Sequence, residues 1–318
     1  MTDTTQDFNT QLIDELLKER KRDRRMGLVK SGLVTLVAVA YLGFAAMMTG
    51  LPFMAEAPAG DFAAVVKVSG EIGAGKEASY ANLAPLLKKA FETSNAKGVV
   101  LLINSPGGTP VQASLIHDYI VELKTKHQKP VIAVGEDMLT SGAYLIAVAA
   151  DTIVANRSTV AGSIGVISAG FGFTGLMEKL GIERRVATAG ESKNLLDPFG
   201  PRTETDVVRQ KALLEAIHAH FKDTVTQDRG ERLNLETAGL FEGAVWTGDQ
   251  AVAVGVIDEL GNLQGAVKKH FGVDETVVLA PQKPMFSALL KGFSLSVSDA
   301  LVQTLAPRGP QARYYTER

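Results

Sequence analysis

Gly98-Val-Val-Leu-Leu-Ile-Asn-Ser-Pro-Gly-Gly108 and Pro130-Val-Ile-Ala-Val-Gly-Glu-Asp-Met-Leu-Thr-Ser-Gly-Ala-Tyr144 share one plan. Each opens on a short β-branched apolar run, turns at glycine, and hands on to a segment with helical periodicity, 111–126 in the first case and 142–149 in the second. Runs of this length bounded by turn residues read as buried strands, and apolar residues recurring every three to four positions read as helices. Working outward, the same reading predicts strands at 62–68, 98–103, 131–134, 152–155, 164–167 and 184–188. It predicts helices at 81–93, 174–180, 203–228, 250–255 and 263–271, the helix at 203–228 being long and charged. Strands alternating with helices imply an α/β fold of parallel strands joined by right-handed crossovers, with ligand sites at the carboxyl ends of the strands. The motifs at strand ends therefore carry the functional reading.

Composition narrows the chemistry. The 318 residues are 46% hydrophobic with a formal net charge of −2, so no bulk positive field draws nucleic acid. There is no cysteine, which removes thiol nucleophiles, thiolate zinc sites and disulfides. The five histidines form no HExxH motif, and His218 and His220 would point to different faces of a helix, so no metal site is expected.

Residues 31–55 are 25 consecutive uncharged positions, enough for a helix to span a bilayer core of about 30 Å. Before them stand Lys18, Arg20, Lys21, Arg22, Arg24, Arg25 and Lys30 against Glu19 and Asp23. This imbalance predicts a cytoplasmic N-terminus and the bulk of the chain on the other side of the membrane. Ala55-Glu56-Ala57 looks like a signal-peptide cleavage site, but Pro58 would follow the cut and the basic region is long, which favours an uncleaved anchor. The expected organisation is a basic segment (1–30), an anchor (31–55), a linker (56–60), one α/β domain (61–280) and a tail (281–318) with an amphipathic stretch at 286–305.

Three strand-end motifs could carry chemistry. In Asn104-Ser105-Pro106-Gly107-Gly108 the paired glycines permit close backbone approaches and could aim two amides at a substrate oxygen, although such sequences are also ordinary turns. Ser141 is expected at a helix N-terminus, where an oxyanion would meet unpaired amides; serine is equally a preferred helix cap there. A serine nucleophile needs a base, and no histidine offers an obvious one. Gly190-Glu191-Ser192-Lys193-Asn194 instead places a lysine in a loop after the expected strand 184–188. Serine–lysine pairs are an established substitute for the histidine triad. A lysine works as a base only when neutral, which asks for an apolar, water-poor surrounding that a solvated loop lysine lacks.

Taken together, Ser105-Pro106-Gly107-Gly108, Thr140-Ser141-Gly142-Ala143-Tyr144, Gly162-Ser163-Ile164-Gly165-Val166 and Gly190-Glu191-Ser192-Lys193-Asn194 resemble the signal peptide peptidase A family in order and spacing. Val245-Trp246-Thr247-Gly248-Asp249-Gln250-Ala251 and Gly255-Val256-Ile257-Asp258-Glu259-Leu260-Gly261 extend the resemblance over about 61–271. The resemblance implies a ClpP/crotonase-like fold of repeated ββα and βα units, with Ser141 as nucleophile, Lys193 as general base and Ser163 orienting the lysine. It implies an oxyanion hole near Gly108 and Gly142, no cofactor, and a homo-oligomer in which the dyad forms either within one subunit or with Ser141 of one subunit facing Lys193 of the next. The implied substrates are remnant signal peptides and other apolar membrane-associated peptides at the bacterial inner membrane. Crotonase-like acyl-CoA chemistry and a non-catalytic membrane scaffold are the alternatives on the same fold.

Overall fold

The computed structural model describes residues 32–33, 35–41, 43–44 and 60–280. The described residues before 45 are helical, and those from 60 onward belong to a separate compact unit. That unit is built on one eight-stranded sheet. Strands β1 (Phe62–Ser69), β2 (Ala96–Ser105) and β3 (Val131–Thr140) run parallel and side by side, and β8 (Thr276–Leu279) adds parallel to the outer edge of β1. Strand β3 then changes partner midway. Ile132–Gly135 pair with β4 (Thr152–Ala155), whereas Met138–Thr140 pair with β5 (Val160–Gly162). β5 is continued antiparallel by β6 (Val245–Thr247), and β4 by the short parallel β7 (Glu259–Leu260). The second half of β3 is held between β2, through Leu139 opposite Ser105, and β5, with Ser141 as the next residue.

Helices cover both faces. Helix α1 (Tyr80–Glu92) buries Leu83, Leu86, Leu87, Ala90 and Phe91, one stripe at helical spacing. Helix α2 (Pro110–His127) starts with proline at its first turn, where the missing N–H costs nothing, and buries Ala113, Ile116, Ile120 and Leu123. Both pack on the face of the sheet that contributes Val66, Leu101, Ile103 and Ala133. The six residues of α3 (Gly142–Ala147) are all buried in the same core. Burying each large aliphatic or aromatic side chain here contributes about 1.5–3 kcal/mol. The opposite face, with Val65, Val100, Ile132 and Val154, is covered by Ala266 and Val267 of α7 (Leu263–Phe271). The short helices α4 (Thr174–Lys179) and α6 (Gly248–Ala253) lie in the connections.

Helix α5 (Glu204–Arg229) divides in two. Its start is fixed by a capping box in which Thr203 and Asp206 satisfy each other's backbone amides. Its buried residues, Phe221, Val225 and Arg229, all lie in the C-terminal third. There the Arg229 guanidinium, almost wholly buried, donates to both carboxylate oxygens of Asp258 (2.9 Å each) and to Gly255 O. From residue 165 through residue 220 no residue is buried. Ile167, Phe171, Leu176, Leu180, Ile182 and Leu196 stand exposed along this arm.

The α/β expectation holds, with two corrections. The strand expected at 164–167 is instead at Val160–Gly162, because the chain turns at Gly162 and Ser163, both at positive φ (+103° and +52°), before the apolar run begins. The segment 184–188 has strand composition but no strand, since no neighbouring strand edge stands beside it. Among the described residues no helix is long and apolar enough to cross a membrane. The predicted anchor at 31–55 lies in large part outside the described residues, and the tail at 281–318 wholly so.

Candidate active site

The site is assembled where β2 and β3 end. Ser105 is fully buried, and its Oγ accepts a hydrogen bond from Gly107 N (3.1 Å), which curls the chain into the Pro106–Gly107–Gly108 turn. The turn is pinned by Ile72: Ile72 N donates to Gly107 O (2.8 Å) and Thr109 N donates to Ile72 O (2.9 Å). These bonds leave Gly108 N–H outside the pairing. Only glycine suits either position. A Cβ on Gly108 would stand 1.9 Å from Ile72 O, and one on Gly107, whose φ is +98°, would stand 2.7 Å from Ser141 Cβ. The glycine turn is thus in direct contact with the serine.

Ser141 follows β3 with φ +55° and ψ −127°, a conformation that costs a non-glycine residue of order 1–3 kcal/mol. Its backbone is clamped on both sides, since Ser141 N donates to Gly162 O (2.8 Å) and Ser141 O accepts from Leu145 N (3.0 Å). Its side chain makes no capping hydrogen bond to α3. The helix-cap reading of Ser141 is therefore set aside, and the hydroxyl stays available to a ligand. Gly142 N–H opens the first turn of α3 and has no carbonyl four residues back to receive it. A Cβ on Gly142 would lie 3.4 Å from Gly108 N, so the two residues are close neighbours beside Ser141. Together they can hold an oxygen that gains negative charge.

Ser141, Gly108 and Gly142 line a cleft of about 110 Å³ with Leu145, Val166, Ile167 and Phe221 among its walls. A cavity of about 150 Å³ takes a benzene ring, so this one accommodates a single small apolar group. Ser163 sits one residue beyond Gly162, the register partner of Thr140, and is therefore a neighbour of Ser141 across the β3–β5 pair. Its own backbone is also at positive φ, and its N–H donates to Ala244 O (2.7 Å).

Lys193 is elsewhere. It is exposed and lines a different, open depression with Arg184, Val186, Thr188, Asn194, Leu196 and Asp197. The turn that carries it is tied to α5, where Arg209 donates to Ser192 Oγ and its guanidinium pairs with Glu191 (3.6 Å). Two turns further along α5, about 12 Å of rise, Ile217 reaches the Ser141 cleft, followed by His220 and Phe221. One chain thus brings together Ser141, Gly108, Gly142 and Ser163, but leaves Lys193 in a separate depression. The α5 contribution was not foreseen from the sequence, in which no histidine offered an obvious base; the signal was the Ile217, Phe221, Val225 stripe at four-residue spacing.

A model of peptidase family S49 matches residues 123–272, which include Ser141, Ser163 and Lys193. A protein named Na(+)/H(+) antiporter NhaA from Brucella abortus is 44% identical over 218 residues, 68% of this chain and 30% of that protein. Protease 4 of Haemophilus influenzae is 31% identical over 210 residues, 65% of this chain and 34% of that one. The chloroplastic serine protease SPPA of Arabidopsis thaliana is 32% identical over 185 residues, 57% of this chain and 26% of that one. The chain spans about a third or less of the length of these relatives.

Proposed function

Because the chain belongs to peptidase family S49, the signal peptide peptidase A family, we propose that it is a membrane-anchored serine endopeptidase in which Ser141 attacks the peptide and Lys193 of an adjacent subunit is the base. The observation that carries this reading is Ser141 itself. It has a strained backbone, a hydroxyl not spent on capping, and two amides beside it in an apolar cleft. Donation of Lys193 by a neighbour is supported by its place on an arm that buries none of its apolar side chains within the chain. Exposed apolar area on this scale is usual at subunit contacts.

The reaction follows from these groups. Neutral Lys193 Nζ takes the proton of Ser141 Oγ as the oxygen bonds to the substrate carbonyl carbon. The carbonyl oxygen becomes an oxyanion and receives hydrogen bonds from Gly108 N–H and Gly142 N–H. Ser163 helps orient the lysine. The intermediate collapses with cleavage of the C–N bond, and the departing amine takes the proton held by Lys193. Water then attacks the Ser141 ester, giving its proton to the same lysine, and the second intermediate collapses with cleavage of the acyl–Oγ bond as the lysine returns that proton to Ser141 Oγ. The small apolar cleft suits small or aliphatic side chains, as found in remnant signal peptides and other apolar membrane peptides. The uncharged stretch 31–55 would anchor the enzyme in the bacterial inner membrane beside them, with the N-terminus cytoplasmic and the catalytic domain outside.

The test is labelling of the full-length protein in detergent with a serine-reactive phosphonate, beside cleavage of an apolar peptide. Wild type is expected to label, Ser141→Ala to lose label completely, and Lys193→Ala to lose at least about 100-fold in labelling rate. Label surviving in Ser141→Ala overturns the assignment of the nucleophile. Because His220 lines the same cleft, a serine–histidine pair within one chain is the second reading. It is favoured if His220→Ala abolishes labelling while Lys193→Ala does not.

A further inference from the structure

We propose that Arg209 is the positioning residue of the general base: it fixes the turn that presents Lys193. The inference rests on the reading of Lys193 as base. The turn is closed by Lys193 N–H donating to Gly190 O (3.2 Å), with Gly190 at φ +101°, and by Leu195 N–H donating to Ser192 O (3.2 Å). None of residues 190–194 is buried, so packing does not hold the turn in place. The ties that join it to a regular element come from Arg209, whose guanidinium donates to Ser192 Oγ and pairs with Glu191 Oε2. Ser192 and Glu191 immediately precede the base. A planar fork that grips two consecutive residues fixes a loop in a way that a single ammonium cannot. Arg209 stands on α5, so the lysine turn is referred to a helix of 26 residues whose C-terminal third is anchored in the core.

The test uses the full-length protein with Arg209→Gln, Arg209→Lys and Lys193→Ala, measuring kcat and KM for one apolar peptide. Arg209 is half exposed and its loss empties no core, so the variants are expected to fold. Arg209→Gln is expected to lower kcat about 10- to 100-fold at nearly constant KM. Arg209→Lys is expected to recover only part of that loss, because it retains a donor and not the fork. If Lys193→Ala is inactive while Arg209→Gln keeps the wild-type kcat, the inference is overturned and the base assignment stands. If Lys193→Ala retains activity, the base assignment falls and the inference with it.

Discussion

Ser141 holds a backbone conformation that a serine does not adopt unless its surroundings impose it, and here they do, through Gly162 O on one side and Leu145 N on the other. Its hydroxyl makes no capping bond to α3, and it lines one cleft with Gly108 and Gly142. The sequence showed a serine before a helix and two glycines after a strand, but not that they touch, because contact depends on the register between β2 and β3. What was legible was the need for glycine, and the structure supplies the reason: Ile72 O and Ser141 occupy the space that any Cβ would need. Gly108→Ala is therefore expected to displace the turn and one oxyanion donor, lowering kcat about 100- to 1000-fold. Peptide cleavage by purified variant and wild type measures this, and an unchanged kcat would remove Gly108 from the site.

Among the elements, α5 connects the most functions, with its first half carrying the lysine turn and its last turns closing the cleft and the core. Its buried end is held by polar groups. Besides the Arg229–Asp258 pair, Asp228 accepts from His117 of α2 at 2.6 Å, and Asp118 lies 2.8 Å from the other ring nitrogen. Burial disfavours the charged imidazole, but the hydrogen bonds to Asp228 and Asp118 outweigh it and hold His117 above the usual histidine range. A raised folded-state value means that the charged clasp stabilises fully below the unfolded value, about 6.5, and is lost as pH rises through the folded one. The thermal midpoint is expected to fall as pH is raised from 6 to 8. His117→Gln is expected to be about 2 kcal/mol less stable at pH 6 and to lose this part of the slope; a slope identical to wild type would show that the clasp does not titrate. Sequence periodicity gave α1, α2 and α5 nearly to the residue because each buries a stripe. It missed β5 and misread 184–188, since a strand is decided by the edge it meets, and β3 changes partner at a point no local pattern marks.

At the scale of the molecule, residues before 165 and after 220 share the buried cores, whereas no residue of the arm at 165–220 is buried. Exposure of Phe171 at 83% and of Ile167 at 86% is of the kind that subunit contacts cover. The lysine was legible as a candidate base and its place in a separate depression was not, because spacing along one sequence does not set which segments meet in space. A head-to-tail ring would let each arm complete the cleft of the next subunit. The most direct test is to co-assemble Ser141→Ala chains with Lys193→Ala chains, each inactive alone, and to measure peptide cleavage. With the dyad shared between neighbours, random mixing at equal amounts is expected to restore about one quarter of the wild-type rate, since that fraction of contacts joins an intact serine to an intact lysine. A mixture as inactive as its components, in assemblies shown to contain both chains, would contradict the account.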